Sequence, residues 1–420
     1  MRRFGLVRSG FLLLSLTAGA VSAHAQAGSL DTTFGKKGIV STNFGTNSSS
    51  GAANNVLSPV VAALQPNGDI VVAATIGGGF GVARCLPSGS LDTTFGKGGF
   101  ITTFLGAYAA TVGAVTLEAN GDIVVAGTVS SEAGVKEFAV ARFTSAGVLD
   151  KTFGKSGVVT TQFSMQPQGA TAVLVQPNGA IIVGGNTNNG GGYDGVTQIT
   201  ALARYTSTGT LDTTFGTGGT VVSTNGSGVS EIALNASGDI FIRNVGSIAE
   251  YSSSGVEDSV VTPSTITSDS ESFYSNGRHL SSNAVEIKKD DIDAQVVRCT
   301  ATGAIDSTFD NPPFDFTAAG SMSDDQGSAF LQPSGQIVVA GSHWAFGSAI
   351  TYFGLARLTS NGTLDSTFGS DGTVVTTLPV NGAAAEIAPT QSNGRIIAIG
   401  VTFNNTTGVS NLALARYLSE

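Results

Sequence analysis

The segment Gly28-Ser-Leu-Asp-Thr-Thr-Phe-Gly35 recurs along the chain, and its recurrence organises the whole sequence. Close copies lie at residues 89–96, 147–154, 209–216 and 362–369, and weaker copies lie at 255–262 and 303–310. Successive motif aspartates are 46 to 62 residues apart. Self-similarity at such a period is typical of a repeat architecture. The sequence therefore predicts seven copies of one structural unit.

Two further motifs indicate that each unit consists of β-strands. A turn precedes an apolar run in Pro66-Asn-Gly-Asp-Ile-Val-Val72, and Asn-Gly between apolar segments predicts a hairpin whose two central residues have positive φ. A later strand ends in arginine, as in Val82-Ala-Arg84. One full unit, residues 170–225, contains four predicted strands, and no stretch after residue 25 has helical spacing. The protein is therefore predicted to be all-β, with four-stranded antiparallel blades.

The two ends of the chain complete one unit. Four residues and then glycine follow the arginine of each internal unit, whereas only four residues follow Arg416, and Gly28 supplies the missing glycine. An open solenoid would need polar caps at both ends. Units of this length fit propeller blades. We therefore predict a closed seven-bladed β-propeller over residues 26–420, in which the N-terminal segment completes the last blade.

Taken together, the motifs Gly-x-Leu-Asp-x-Thr-Phe-Gly, Pro-Asn-Gly-Asp-Ile-Val-Val-Ala-Gly and Ala-x-Ala-Arg-Phe resemble the bacterial delta-60 repeat family, a propeller family of exported proteins. The resemblance covers essentially all of residues 26–420. It implies the propeller fold and export, and it implies no activity, because the family has no defined one.

The N-terminus has the pattern of a secretory signal peptide. Three arginines precede an apolar run and a small-x-small site: Arg2, Arg3, Arg8, residues 11–21 and Ala23-His24-Ala25. We expect cleavage before Gln26 and a secreted, periplasmic or cell-surface protein without a membrane span, because the run is too short to cross a bilayer. After cleavage the chain has 17 basic and 30 acidic residues, a net charge of −13. Nucleic acid and anionic lipid are therefore not expected as main partners.

Aspartate and arginine recur at fixed positions of the units. The aspartate occurs in all seven copies: Asp31, Asp92, Asp150, Asp212, Asp258, Asp306 and Asp365. The arginine occurs in six: Arg84, Arg142, Arg204, Arg298, Arg357 and Arg416. A ring of metal-binding or catalytic carboxylates is the functional alternative, but a site is normally built once. We predict a structural corner in which aspartate accepts backbone N–H groups and pairs with arginine. Glu250 replaces the arginine of the fourth unit, and we predict that Arg243 supplies the missing charge.

Other recurring positions have an apolar role. The motif phenylalanines are predicted to pack between blades: Phe34, Phe95, Phe153, Phe215, Phe309 and Phe368. Cys85 and Cys299 follow the strand arginine in two distant units. Equivalent positions in non-adjacent blades lie too far apart for a disulfide, so we expect two free, buried thiols.

The candidate binding residues lie where the units differ, in loops between second and third strands: Tyr193, Asp194, His343 and Trp344. Tryptophan in such a loop stacks on a sugar, anchors a partner or packs on its own blade. No catalytic residue, metal site or cofactor is predicted, because the two histidines and two cysteines that follow the signal peptide lack zinc-ligand spacing. The acidic stretches 290–293 and 324–325 leave calcium open, although they lack the spacing of an EF-hand loop.

Three classes of function follow from these patterns. The first is an exported, monomeric, non-catalytic propeller that binds an extracellular glycan or protein through its variable loops. The second is an extracellular hydrolase or lyase acting on polysaccharide, with carboxylates contributed by different blades. The third is a structural module of the cell envelope. Convergent acids with raised pKa values favour the enzyme, and an uncharged aromatic surface favours binding.

Overall fold

The computed structural model describes residues 26–43, 57, 60–106, 109–132, 134–163, 167–188, 198–244, 247–261, 270–273, 278–288, 291–300, 304–310, 312–316, 322–345, 351–378, 383–387, 390–404 and 409–420. The predicted signal peptide lies outside them. All regular elements of these residues are β-strands. Among them we find no apolar helix of the length that a bilayer crossing requires.

Twenty-seven strands are present in the described residues. The first thirteen are β1 (Ile39–Thr42), β2 (Val60–Leu64), β3 (Ile70–Ile76), β4 (Gly79–Cys85), β5 (Phe100–Thr103), β6 (Ala110–Leu117), β7 (Ile123–Ser130), β8 (Lys136–Phe143), β9 (Val158–Thr161), β10 (Pro167–Val175), β11 (Ile181–Asn188), β12 (Gln198–Tyr205) and β13 (Thr220–Ser223). The others are β14 (Glu231–Leu234), β15 (Ile240–Asn244), β16 (Ser247–Tyr251), β17 (Glu257–Val261), β18 (Ser270–Phe273), β19 (His279–Lys288), β20 (Asp291–Cys299), β21 (Met322–Leu331), β22 (Ile337–Ala345), β23 (Thr351–Leu358), β24 (Thr373–Thr376), β25 (Ala383–Ile387), β26 (Ile396–Asn404) and β27 (Val409–Tyr417).

The strands form five four-stranded antiparallel sheets and one seven-stranded sheet. Four consecutive strands make up each of the first sheet (β2–β5), the second (β6–β9), the third (β10–β13) and the fourth (β14–β17). The last sheet contains β25–β27 and β1. The seven-stranded sheet, β18–β24, departs from the predicted pattern of separate four-stranded blades.

The departure has a local cause in the fifth unit. Only one parallel bridge, Ile292 to Ser323, connects β20 with β21 in the seven-stranded sheet. The outer segment of the fifth unit is reduced to a bridge between Ala294 and Phe314. Pro312 and Pro313 precede this bridge, and proline cannot donate a hydrogen bond to a strand ladder. The predicted fourth strand of this unit is therefore absent from the described residues.

The first two strands of a unit are joined by the predicted hairpin, but the turn type differs. Between β2 and β3, Gly68 N–H donates to the Gln65 carbonyl (2.8 Å), and Gln65 N–H donates to the Asp69 carbonyl (2.9 Å). Gly68 has a φ of 89°, whereas Asn67 is not among the described residues with positive φ. A three-residue loop of this kind combines a type I turn with a left-handed glycine. The prediction of two positive-φ central residues is therefore wrong.

The second strands are covered on both faces by neighbouring sheets. Ile70 and Val72 of β3 pack in one cluster with residues of the last sheet, such as Ile397. Val71 belongs to another cluster, which includes Val125 of the second sheet. Because successive strand residues point to opposite faces, the unbroken apolar runs fit this arrangement.

The N-terminal and C-terminal segments pair in the last sheet. Strand β1 is antiparallel to β27, with Ile39 opposite Ala415. Gly28 N–H donates to the Leu418 carbonyl (2.8 Å), and Leu30 forms a bridge with Tyr417. This is the pairing of the ends that the sequence predicts.

Strands from five sheets line a common central cavity. Strands β2, β6, β10, β14 and β21 contribute residues to this cavity, whose volume is about 340 Å³. Small residues such as Ala62, Gly113 and Ala172 line much of it, together with Arg243 and Glu231. Sheets that expose their first strands to a common axis form a β-propeller.

Both cysteines are free and buried, as predicted. Burial, and then the carboxylates of Asp69 and Asp92, raise the pKa of the Cys85 thiol to about 12. Since the thiolate is the reactive form, the native protein should not react with a thiol-specific disulfide reagent at about pH 8. Denaturation should release two titratable thiols per chain. Rapid labelling of the native protein, or recovery of no free thiol, would contradict this prediction.

Candidate functional site

The repeated arginine and aspartate meet at the corner of a unit. In the second sheet, Arg142 Nε donates to Asp150 Oδ2 (2.8 Å). The backbone N–H and the hydroxyl of Thr152 donate to Asp150 Oδ1 at 2.9 and 2.7 Å. The Arg142 guanidinium lies 4.7 Å from the centre of the Phe153 ring. Arg142 Nη1 also donates to the Ser207 carbonyl in the next sheet (2.6 Å). Each such corner, which we call a latch, therefore joins two sheets.

Six latches share this set of contacts. Their arginine–aspartate pairs are Arg84–Asp92, Arg142–Asp150, Arg204–Asp212, Arg298–Asp306, Arg357–Asp365 and Arg416–Asp31. In the last of these pairs, the arginine also donates to the Pro87 carbonyl of the first sheet. The recurring polar residues are thus occupied in joining sheets.

The latch aspartates are held in their ionised form. The hydroxyl of the neighbouring threonine is the main cause that lowers the pKa of Asp92, Asp150, Asp212 and Asp306. The pKa of Asp306 falls to about 2. Burial acts to raise the pKa of Asp31 and Asp365, but threonine and arginine lower it by more. An ionised carboxylate of this kind serves as a structural anion and not as a general acid.

The fourth unit lacks a latch of this form. Asp258 is exposed beside a register shift between Glu250 and Tyr251, and Glu250 accepts a hydrogen bond from Ser259 (3.4 Å). Arg243 Nη1 instead donates to Ser230 Oγ (2.6 Å), on the side of β15 that faces β14. The guanidinium therefore extends away from the strands that carry Glu250 and Asp258. The predicted replacement of the missing arginine by Arg243 is wrong.

Two of the four predicted binding residues belong to the part of the chain that the structure describes. Tyr193 and Asp194 lie outside the described residues. His343 and Trp344 lie in strand β22 and not in a loop, which corrects the predicted loop boundary. The backbone register places His343 opposite both Asp324 and Tyr352.

The acidic stretches considered for calcium are strand segments where they are described. Asp291 begins β20, and Asp324 and Asp325 lie in β21. Asp290 lies outside the described residues. In the part of the chain that the structure describes, no group of three histidine, cysteine or acidic residues is arranged to hold a metal ion.

An open groove of about 810 Å³ runs along β9, the outer strand of the second sheet. Residues of three sheets line it: Thr103, Phe104, Leu105, Leu149, Gly154, Lys155, Ser156, Val158, Val159, Thr160, Thr208, Gly209 and Thr210. Phe104 is 65% exposed, the largest value among the described large hydrophobic residues. We call this the β9 groove. It combines an exposed aromatic ring with threonine hydroxyls and one ammonium group.

The chain around Phe104 and Lys155 explains their positions. Phe104 directly follows β5, and its ring approaches β4 at Gly79, where an added Cβ would lie 3.0 Å from Phe104 Cδ1. Glycine at this position leaves space for the ring. Lys155 follows Gly154, the glycine next to the latch phenylalanine Phe153. It lies in a tight turn, where its N–H donates to the Val158 carbonyl (2.8 Å). The turn leaves the Lys155 side chain exposed, and Lys155 lines the groove.

A second groove of the same construction runs along β24, with a volume of about 770 Å³. The bridge of Ser370 to Thr373 corresponds to that of Lys155 to Val158, so Ser370 occupies the position of Lys155. Asp371 and Ser156 have matching φ values of 55° and 57°. The β24 groove therefore has a hydroxyl and a carboxylate where the β9 groove has an ammonium and a hydroxyl.

Comparison with known families gives a match for four of the repeats. The family "Domain of unknown function (DUF5122) beta-propeller" matches residues 65–95, 118–153, 176–215 and 332–368. These segments are β-propeller repeats. Each repeat runs from the first hairpin to the latch phenylalanine, as in Glu118 to Phe153. The delta-60 name remains a prediction.

Several solved structures resemble the chain at low sequence identity. The Pan2 WD40 domain of Neurospora crassa is 9% identical, with 90% of this chain and 94% of that chain covered and a TM-score of 0.48. Virginiamycin B lyase from Staphylococcus aureus is 12% identical, with 90% and 98% covered and a TM-score of 0.46. Penicillium chrysogenum alpha-L-arabinanase is 8% identical, with 90% and 97% covered and a TM-score of 0.44. Comparison with curated proteins gives no match.

Proposed function

We propose that the protein is an exported, non-catalytic β-propeller that binds an extracellular glycan in the β9 groove. The observation that carries the proposal is the exposed ring of Phe104 beside hydroxyl groups in a groove of about 810 Å³. Ligand pockets commonly have volumes of about 300–1,000 Å³, with apolar walls and a few polar groups. A sugar ring presents both kinds of surface, since its C–H face is apolar and its hydroxyls form hydrogen bonds.

The β9 groove offers partners for each part of a sugar. Phe104 supplies an aromatic face for the C–H groups, and the threonine hydroxyls donate and accept hydrogen bonds. Thr160 and Thr208 contribute hydroxyls from the second and third sheets. Since these sheets are joined by a latch, the groove is preorganised for binding.

Binding is favoured over catalysis by the state of the carboxylates. Glycoside hydrolysis commonly uses two carboxyl groups, one of them with a raised pKa. The latch aspartates have lowered pKa values and pair with arginine. In the central cavity, Glu231 is the only carboxylate among the described lining residues, and it lies opposite Arg243 in the strand register. The latch aspartates therefore supply no acid of raised pKa, and the described lining of the cavity supplies no second carboxylate beside Glu231.

We also propose that the sheets form a closed ring of seven blades, in which β18–β20 and β21–β24 are separate blades joined by one bridge. Arg416 of the last sheet contacts Pro87 of the first, just as Arg142 contacts Ser207 of the next sheet. In a closed ring, the sheet that joins the chain ends packs on its neighbour as firmly as internal sheets do. Disrupting either junction should therefore lower the free energy of unfolding by the same amount. Within this proposal, residues 1–25 direct export, and the mature protein acts as a monomer outside the cytoplasm.

The variant Phe104→Ala tests glycan binding in the β9 groove. We expect an affinity loss of about tenfold, or about 1.4 kcal/mol, because exposed aromatic anchors dominate such contacts. The ligand is first found on a glycan array, and the affinity is then measured by titration calorimetry. Because Phe104 is 65% exposed, the thermal midpoint should stay unchanged.

A matched control separates the groove from exposed apolar surface in general. Val256 is 60% exposed on the fourth sheet, away from the β9 groove, so Val256→Ala should leave binding intact. Equal affinities for the wild-type protein and Phe104→Ala would refute the proposed site. Failure to bind any glycan on the array would refute the proposed function.

A further inference from the structure

Five of the eight lysines in the chain are at the corners of three units: Lys36, Lys37, Lys97, Lys151 and Lys155. All five are exposed. Lys36, Lys97 and Lys155 occupy the same turn position after the latch glycine, because each donates its N–H to a carbonyl three residues later. We call these five residues the lysine arc.

The three corners of the lysine arc are neighbours in space. Gly35 N–H donates to the Ser88 carbonyl (2.8 Å), which joins the corner of the last sheet to the first sheet. Gly96 N–H donates to the Ala146 carbonyl (2.9 Å), which joins the first sheet to the second. The five lysines therefore lie on three neighbouring units, with no other unit between them.

The arc lysines are not neutralised within the protein. Among the described residues, none of the five forms an ion pair, because the nearby aspartates Asp31, Asp92 and Asp150 pair with arginine. The equivalent turn positions in other units are Thr217 and Ser370, and Asp371 adds negative charge in the latter. The mature chain has a predicted net charge of −13, so positive charge is concentrated on one side of an acidic protein.

The lysine arc and the β9 groove meet at Lys155, which belongs to both. A polymer bound beside Phe104 also reaches Lys155, and the corner that carries Lys97 adjoins the same sheet. The positive charges of the lysine arc recur from unit to unit. Such spacing is complementary to a polymer that carries negative charges at regular intervals. A sugar chain also matches the aromatic and hydroxyl groups of the groove, which a bare phosphate chain does not.

We propose that the ligand is an acidic polysaccharide whose carboxylates contact the lysine arc while a sugar ring occupies the β9 groove. This inference rests on the proposed glycan-binding function and specifies the chemistry of the glycan. The protein is then a receptor for uronate-type polymers.

The direct test compares one polymer with and without its charge. We expect the mature protein to bind polygalacturonate at least about tenfold more tightly than its fully methyl-esterified form at about 20 mM salt. This difference should shrink at about 300 mM salt, because salt screens exposed charges. Alginate and hyaluronan serve as additional carboxylate polymers. Binding to none of the three, or equal binding of the charged and esterified forms, would overturn the proposal.

The variant Lys97→Ser/Lys151→Ser/Lys155→Ser tests the arc itself. We expect at least a tenfold loss of polygalacturonate affinity with an unchanged thermal midpoint, since all three side chains are exposed. In the β24 groove, Ser370→Lys/Asp371→Ser provides a gain-of-charge control, which should not reduce binding. An unchanged affinity of the triple lysine variant would overturn the assignment of the arc.

The two proposals fail in different ways. If Phe104→Ala weakens binding while the triple lysine variant does not, glycan binding stands and the acidic specificity fails. If only the lysine variant weakens binding, the β9 groove is not the sugar site, so the proposed site fails while binding of an acidic glycan by the arc stands. Tighter binding of double-stranded DNA or phosphatidylglycerol vesicles than of polygalacturonate, at equal salt, would overturn the polysaccharide assignment.

Discussion

Replacing Phe34 by alanine should lower the free energy of unfolding by about 3–5 kcal/mol, as much as the same change at Phe153. Both rings are fully buried, at 0% exposure. Each lies under a latch guanidinium, with Arg416 4.6 Å from the centre of the Phe34 ring and Arg142 4.7 Å from that of Phe153. Truncation at either position removes packing and leaves a cavity between two sheets.

The comparison is informative because the two rings differ in their chain connections. Phe153 and Arg142 belong to one internal unit, whereas Phe34 is N-terminal and Arg416 is C-terminal. Gly89 of the first sheet lies close to the Phe34 ring, since an added Cβ would be 2.8 Å from it. Phe34 thus belongs to the junction between the last sheet and the first.

Denaturant unfolding of the two variants measures this junction. Equal losses for Phe34→Ala and Phe153→Ala indicate that the ends are as firmly joined as an internal pair of sheets. Phe104→Ala is the control for loss of an exposed ring and should cost less than about 1 kcal/mol. A negligible loss for Phe34→Ala beside a large one for Phe153→Ala would argue against a closed ring.

The repeats explain why much of the architecture is predictable from one sequence. Each unit provides an independent copy of the same local signals, so chance patterns are averaged out. The segment before Asp31 lacks an arginine strand, and the segment after Arg416 lacks an aspartate corner. Their pairing in one sheet follows from this complementarity.

Turn types and side-chain directions are less predictable from the sequence than the strands, because only residue propensity or charge indicates them. Asn67-Gly68 correctly predicted a hairpin, but its loop spans three residues, as does the loop at Ala119-Asn120-Gly121 in the next unit, so the turn type differs from the predicted one. Charge alone predicts that Arg243 approaches Glu250, because the number of charges in a unit contains no information on side-chain directions. Its contact with Ser230 places it on the inner side of its strand.

The β9 groove could not be predicted from the sequence for a different reason. Its walls come from three separate segments, 103–105, 154–160 and 208–210, whose proximity depends on how the sheets pack. No linear pattern marks Phe104 as exposed. A signal for the lysine arc is nevertheless present in the sequence, since lysine follows Phe-Gly in three units whose corners adjoin. This signal lies at positions where the repeats differ from one another, and not at the positions that they share.

Acid should unfold the protein cooperatively between about pH 4 and pH 2, because six latches depend on ionised aspartates. Their folded-state pKa values lie below the value of about 3.9 for an unfolded chain. A lowered pKa means that the folded state favours the ionised form. Its contribution to stability is therefore fully present above the unfolded pKa and is lost as the pH falls through the folded pKa.

The variant Thr152→Val tests the cause of this acid sensitivity. The Thr152 hydroxyl is the largest influence on the lowered pKa of Asp150, so its removal should raise that pKa and move acid unfolding to higher pH. Thr160→Val is the control, because Thr160 is exposed on β9 and belongs to no latch. Circular dichroism across the pH range gives the midpoint for each protein. A midpoint that Thr152→Val leaves in place, or stability that is constant from pH 5 to pH 2, would contradict the role of the latch aspartates.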